Sequence, residues 1–256
     1  MKTIRGGMGL GDALYVQAVA RHLVKQGQEI RAATSYPDVF RPLGIECIPF
    51  TRQGIQILAH YSLRKGQPTG QFEDCCIQAG IQEPVELKLD WQVQDRALTD
   101  RLLSHGKPIV MVQLPRSPMG RIDGFGAELL PDCRKIQRAI DRLHGRALLV
   151  QVGAGRPLFR FGGIDVDLAN ETSVGQMIDV ACVSRGAIGY VSFMLPLCES
   201  LDKRALLVWS RKGLRSKTGY VRQITPAKVI HRNDLVTSVN DGVDDDIESA
   251  ADAFLR

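Results

Sequence analysis

The sequence predicts an α/β fold built as two consecutive parallel-sheet units, and three observations carry that reading. Short apolar runs such as "PIVMVQL", "RALLVQV" and "RALLVWS" alternate with helical stretches, the pattern of a parallel sheet covered by helices on both faces. The alternation restarts after Gly106-Lys107-Pro108, which divides the chain into units of residues 1–105 and 106–256. A glycine-rich turn, "GGMGLGD", joins the first strand to the first helix, at the sheet edge where open α/β folds bind ligands.

In the first unit, Lys2–Arg5 reads as a strand and Asp12–Gln26 as a helix with Tyr15, Val16, Val19 and Leu23 on its apolar face. Gly27 closes that helix, because glycine tolerates the left-handed backbone that helix ends often need. Strands follow at Glu29–Ala33 and Glu46–Pro49, with a short helix near Asp38–Pro42 between them. In the stretch 51–90 only a loop, "RKGQPTGQ", and a short helix, "FEDCCIQAG", are readable, before a polar helix at Gln92–His105. The second unit alternates strand "PIVMVQL", helix Asp132–His144, strand "RALLVQV", helix Ser173–Ser184, strand "GAIGYV", helix Phe193–Asp202 and strand "RALLVWS". The acidic tail, "NDGVDDDIESAADAFLR", reads as a last helix with carboxylates near its positive N-terminal end.

Composition narrows the function classes. A hydrophobic content of 44% with 24% charged residues is that of an ordinary globular protein. No run of about 18 apolar residues offers a membrane span, and the start "MKTIR" runs straight into glycines without the apolar core of a signal peptide. Six cysteines without CxxC spacing point to reduced, buried thiols in a cytoplasmic protein. The net charge of +5 suits an anionic ligand but is too mild to mark a nucleic-acid binder by itself.

The glycine loop fails the two common nucleotide tests. From Gly7 and Gly9 the third glycine of a dinucleotide fingerprint falls on Asp12, and from Gly9 and Gly11 it falls on Leu14. No Gly-Lys-Ser/Thr follows, which excludes a P-loop. What remains is a tight, side-chain-free turn in which Gly9 and Gly11 clear space for a substrate. Asp12 then has two readings, an N-terminal helix cap or a general base.

The stretch "GGMGLGDALYVQAVARHLVKQG" resembles the opening of the heptosyltransferase-like glycosyltransferases (the ADP-heptose:lipopolysaccharide type), and "DLANETSVGQMIDVACVSRGAIGYVSFMLPLCESLDKRALLVWS" resembles their second half in order and spacing. The resemblance covers about the first 50 residues and residues 106–210. It implies the GT-B architecture, two Rossmann-like domains facing a cleft. It also implies a nucleotide-sugar donor bound by the second domain, an acceptor bound by the first, and Asp12 as base at the cleft. One departure stands out: where family members carry Asp-Ser-Gly and then His, this chain has Tyr190-Val191-Ser192-Phe193 and Pro196.

Glycosyl transfer needs a base for the acceptor hydroxyl and positive charge for the departing diphosphate. Arg116 and Arg121, in a glycine- and proline-rich loop after the first strand of the second unit, suit phosphate oxygens. Gly153, in "GAGR" after the next strand, marks a second candidate ligand loop, or an ordinary turn. Ser192 and the helix start behind it are further phosphate contacts. Glu199 matches a position where many GT-B enzymes hold the nucleotide ribose; the alternative is an exposed helix carboxylate. The basic strip Ser210–Arg222, with Arg211 and Lys212, has five lysines and arginines in thirteen residues and suits donor phosphates or a polyanionic acceptor. Asp165-Val166-Asp167 spells a DxD metal motif, but no metal and no cofactor beyond the donor substrate is expected. The expected function is an inverting, metal-independent glycosyltransferase whose acceptor is a cell-surface glycan. The alternatives are a glycosyltransferase acting on a modified base in viral DNA, and a non-catalytic nucleotide-binding protein.

Overall fold

The computed structural model describes residues 1–61, 69–115, 130–210, 224–241 and 246–256. Two parallel sheets organise it. The first contains β1 (Lys2–Arg5), β2 (Ile30–Ala33), β3 (Cys47–Ile48) and β4 (Ile57–Leu58) in the order β3-β2-β1-β4. The second contains β5 (Ile109–Gln113), β6 (Leu148–Val152), β7 (Val166–Asp167), β8 (Gly186–Gly189), β9 (Arg204–Trp209) and β10 (Val236–Asn240). Its order is β10-β9-β8-β5-β6-β7, with every pair parallel. Each sheet winds outward in one direction from its first strand and then jumps back to the other side. The order therefore reverses between β1 and β4 and between β5 and β8, the doubly wound pattern whose reversal points open a crevice beyond the carboxyl ends of the strands.

Alternation along the strands of the second sheet gives two cores. Val110 and Val112 face a cluster with Ile136, Ile140, Leu149 and Leu206, while Ile109 and Met111 face the larger cluster. That larger core is continuous with Ile4, Leu14 and Val19 under the first sheet. The α-helices among the described residues are α1 (Leu10–Lys25), α2 (Gln71–Gln78), α3 (Arg96–Leu103), α4 (Cys133–Leu143), α5 (Val174–Val183), α6 (Met194–Ser200), α7 (Pro226–Val229) and α8 (Ile247–Asp252). Across the two halves, α1 packs on α6 and α3 packs on α5. The tail helix α8 lies along α4, where Arg138 pairs with Glu248, and Arg142 and Arg146 pair with Asp252.

Several element ends differ from the sequence reading for local reasons. Helix α1 starts at Leu10, because extended Gly9 is its N-cap and Asp12 is its third residue. It closes as expected at Gly27, with φ 78°. Helix α3 starts only at Arg96, because the Asp95 side chain accepts the Leu98 N–H and caps it there. Strands β4 and β10 have no counterpart in the sequence reading: β4 is two residues long, and in β10 Thr237 and Ser238 are exposed. All six cysteines are free thiols. Burial pushes Cys76 and Cys198 up to about 12 and Cys133 and Cys182 up to about 11, which keeps them protonated and unreactive near neutral pH.

Candidate functional site

A cleft of about 300 Å³ opens where the carboxyl ends of β5 and β8 meet the start of α1. Gly9, Gly11, Asp12 and Tyr15 form its first wall, and Gln113, Tyr190, Ser192, Phe193 and Pro196 form the second. It thus sits at the reversal point of the second sheet, with the glycine loop of the first sheet facing it. Tyr36, Tyr61, Gln71, Ile224 and Val229 also line it, with Leu10, Val191 and Leu195.

Gly7 has a steric reason to be there. A Cβ on Gly7 would sit 2.4 Å from Asp12 Oδ2 and 2.8 Å from Oδ1, so a bare backbone is what lets the carboxylate fold back. At Gly11 a Cβ would lie 3.4 Å from Phe193 Cα, an ordinary contact, so the approach of α1 to α6 does not itself require this glycine. Asp12 Oδ2 accepts the Gly9 N–H at 2.9 Å. Capping and cleft-facing are therefore combined in one side chain: Oδ2 holds the helix start, and the group still lines the cleft. Gly7→Ala is expected to displace the Asp12 carboxylate, with a loss of about 1 kcal/mol from the disturbed cap and most of any Asp12-dependent activity. Thermal unfolding and rate measurements on one preparation check both.

On the opposite wall, Gln113 ends β5 as a buried polar residue after four apolar ones. Its Oε1 accepts the Tyr190 N–H at 3.2 Å, and its Nε2 donates to Ser192 Oγ at 2.5 Å, so it ties β5 to the turn after β8. The Met194 N–H also donates to Ser192 Oγ, at 3.3 Å. Both lone pairs of the Ser192 hydroxyl are thereby occupied, which leaves its O–H to donate outward, the polarity a phosphate oxygen needs. Sequence reasoning found Ser192 and missed Gln113; the signal was the one amide in "PIVMVQL".

The remaining expected site residues are distributed differently. Gly153 follows β6, away from the cleft lining, and takes part in a turn: its carbonyl accepts the Asn170 N–H, and a Cβ there would press on Leu114 at 3.1 Å. Glu199 is neither an exposed carboxylate nor a cleft residue. It is fully buried, and its Oε1 accepts the His231 and Arg232 N–H groups at 2.7 and 2.8 Å, while Oε2 has no partner. Burial raises its pKa to about 7, against the lowering pull of those two N–H groups. Ionised Glu199 therefore costs stability above pH 7, and the cost fades as pH falls from 7 towards the ordinary 4.5. Glu199→Gln keeps the acceptor and removes the charge. It is expected to stabilise the protein at pH 8, by at most about 3 kcal/mol, and to change little at pH 4.5. Unfolding midpoints at the two pH values check this; an equal shift at both would contradict it.

Arg116, Arg121, Arg211 and Lys212 lie outside the described residues. In the DxD stretch Asp165 Oδ2 accepts the Leu149 N–H and Asp167 Oδ1 accepts the Ala169 N–H, so each acid serves the local backbone. Among the described residues no group of three or more His, Cys, Asp or Glu side chains is placed to hold a metal ion, and no helix is long and apolar enough to cross a membrane.

The sequence matches no protein-family model and no curated protein. The structure is similar to that of E. coli ADP-heptose LPS heptosyltransferase II, with a TM-score of 0.67 at 12% identity over 100% of this chain and 98% of that one. It is also similar to the glycosyl transferase family 9 protein from Veillonella parvula, with a TM-score of 0.59 at 8% identity over 93% and 85% of the two chains. A third similar structure is the iron-containing dodecameric glycosyltransferase TibC from enterotoxigenic E. coli, with a TM-score of 0.56 at 15% identity over 80% of this chain. This chain spans 57% of TibC's length. The two doubly wound sheets and these likenesses together establish the fold as the GT-B-like one that the sequence resemblance implied.

Proposed function

We propose that the protein is a glycosyltransferase that moves a sugar from a nucleoside-diphosphate sugar to an acceptor hydroxyl, with inversion and without a metal. The observation that carries this is the placement of Asp12 and Ser192 on opposite walls of one cleft, each at the carboxyl edge of a different sheet. Asp12 takes the acceptor proton, with its second oxygen held by Gly9. The acceptor oxygen then bonds to the anomeric carbon as the bond to the diphosphate breaks in line. The Ser192 O–H meets the charge that develops on the diphosphate. Arg116 and Arg121, which come after β5 in the sequence, are assigned to the same charge, and Arg211 and Lys212 to the donor phosphates. The likeness to TibC, which has been seen in complex with ADP-D-β-D-heptose, supports a nucleotide sugar as donor. The acceptor reading is a glycan. Nucleotide release from UDP-, ADP-, GDP- and CMP-sugars tests the proposal: release from at least one donor is expected, and none from any of them would count against transfer and favour a non-catalytic nucleotide-binding protein.

A second reading, transfer to a hydroxyl on a modified DNA base, is favoured by the ring-rich lining of Tyr15, Tyr36, Tyr61 and Phe193, which suits a planar acceptor. Duplex DNA binding that weakens steeply with salt, with no binding of a neutral oligosaccharide, would favour it over the glycan.

A further inference from the structure

The reversal point of the first sheet carries groups that the cleft does not use. Arg5 ends β1, and His60 stands two residues beyond the end of β4, the neighbouring strand. Burial alternates along this edge: Ile4, Ile57 and Ala59 are buried, whereas Arg5 and His60 are half-buried and Leu58 is exposed. Arg5 and His60 therefore share one face, while Tyr61, the next residue, turns back to the cleft.

Neither side chain is satisfied by the protein. Arg5 Nε and His60 Nδ1 are both shielded from water and have no hydrogen-bond partner. The Arg5 guanidinium lies over the Phe50 ring, 5.3 Å from its centroid, and the His60 ring packs at a tilt of 45° against Tyr61, 4.9 Å between centroids. Aromatic contacts fix the orientation of both groups without neutralising either. Buried polar atoms without partners are rare enough in folded proteins that each calls for an explanation. Among the described residues next to this edge, 1–11 and 47–61 contain no aspartate or glutamate but include Lys2, Arg5, Arg52 and His60, while Asp12 lines the cleft and Glu73 and Asp74 belong to α2. A guanidinium and an imidazole on one face of a topological reversal point, each oriented by a ring and each with a polar atom lacking a partner, have the features of a site for an anion supplied from outside.

We propose that Arg5 and His60 form an anion-binding site at the β1/β4 reversal point, separate from the cleft, that takes a phosphate or carboxylate group. If the glycosyltransferase reading holds, the group belongs to the acceptor, because this is the sheet that carries Asp12; the anion site itself does not depend on that reading.

Titration of the whole protein with inorganic phosphate, followed on the histidine ring resonances and by calorimetry at constant ionic strength, tests the site without any transfer assay. The His60 signals are expected to shift saturably while those of His105 and His144 stay put. Arg5→Gln is expected to weaken binding at least tenfold, and Arg5→Lys, which keeps the charge but loses the fork, to weaken it less. Because Arg5→Gln could disturb the strand end, His60→Gln is measured by calorimetry in parallel, with a several-fold loss expected. Phosphate that leaves His60 unmoved, or binds both Gln variants as tightly as the wild type, overturns the site. A phosphorylated sugar that binds more tightly than inorganic phosphate supports an anion carried on the acceptor; equal affinities contradict that assignment and leave a site for the free anion.

Discussion

Replacing Asp12 with asparagine is expected to lower the rate of sugar transfer by about 10²–10⁴-fold, the usual contribution of a positioned general base, with the fold retained. The substitution separates the two jobs of this side chain. Asparagine still presents an oxygen to the Gly9 N–H, so the bond that starts α1 survives, but it cannot take a proton. Asp12→Ala would remove both and lose about 1 kcal/mol as well. Initial rates with saturating donor, together with unfolding midpoints for the three proteins, check the prediction. An asparagine variant that transfers at the wild-type rate would falsify the base assignment and reduce Asp12 to a helix cap.

Asp179→Ala is expected to destabilise the protein by roughly 3–5 kcal/mol, because it strips three donors of their one acceptor. Asp179 is fully buried in α5. Its Oδ1 accepts the Trp91 indole N–H at 2.7 Å and the Gln94 N–H at 2.9 Å, and its Oδ2 accepts the Asp95 N–H at 2.8 Å. These bonds pin the segment before α3 to α5 of the second half. Asp95, held in this way, caps α3 and also accepts from Gln176. Loss of Asp179 therefore propagates to the packing of α3 on α5. Asp179→Asn keeps one oxygen but turns a second donor towards the chain, so an intermediate loss is expected. Urea denaturation of the two variants checks the ranking; an alanine variant within 1 kcal/mol of wild type would contradict the account.

The fold was legible because its elements are locally encoded. Val and Leu runs mark β5, β6 and β9, and the period of Tyr15, Val16, Val19 and Leu23 marks α1. Elements held by neighbours rather than by pattern were not. β4 is two residues pairing with β1, and β10 takes its register from β9. The candidate site divides in the same way. Asp12, Gly9, Gly11 and Ser192 stand next to recognisable turns, and the fold brings all four to one cleft. Gln113, Asp179, Arg5 and His60 are single polar residues in or beside apolar runs. Their roles depend on which strand end or crossing segment they meet, and that is fixed by the order of the sheets. Glu199 shows the converse, a position matched in sequence whose side chain is buried and serves the turn before β10.

The proposed function puts a nucleotide-sugar donor at the β5/β8 reversal point, against Ser192, which lines the cleft and whose Oγ accepts from Gln113 and Met194. Calorimetric titration of the wild type and Ser192→Ala with the sugar nucleotide that gives the strongest thermal stabilisation tests this directly. Saturable binding to the wild type, weakened about tenfold in Ser192→Ala by the loss of one hydrogen bond to a charged group, is the predicted result. Equal affinities in the two proteins, or no binding of any nucleotide sugar, would contradict it.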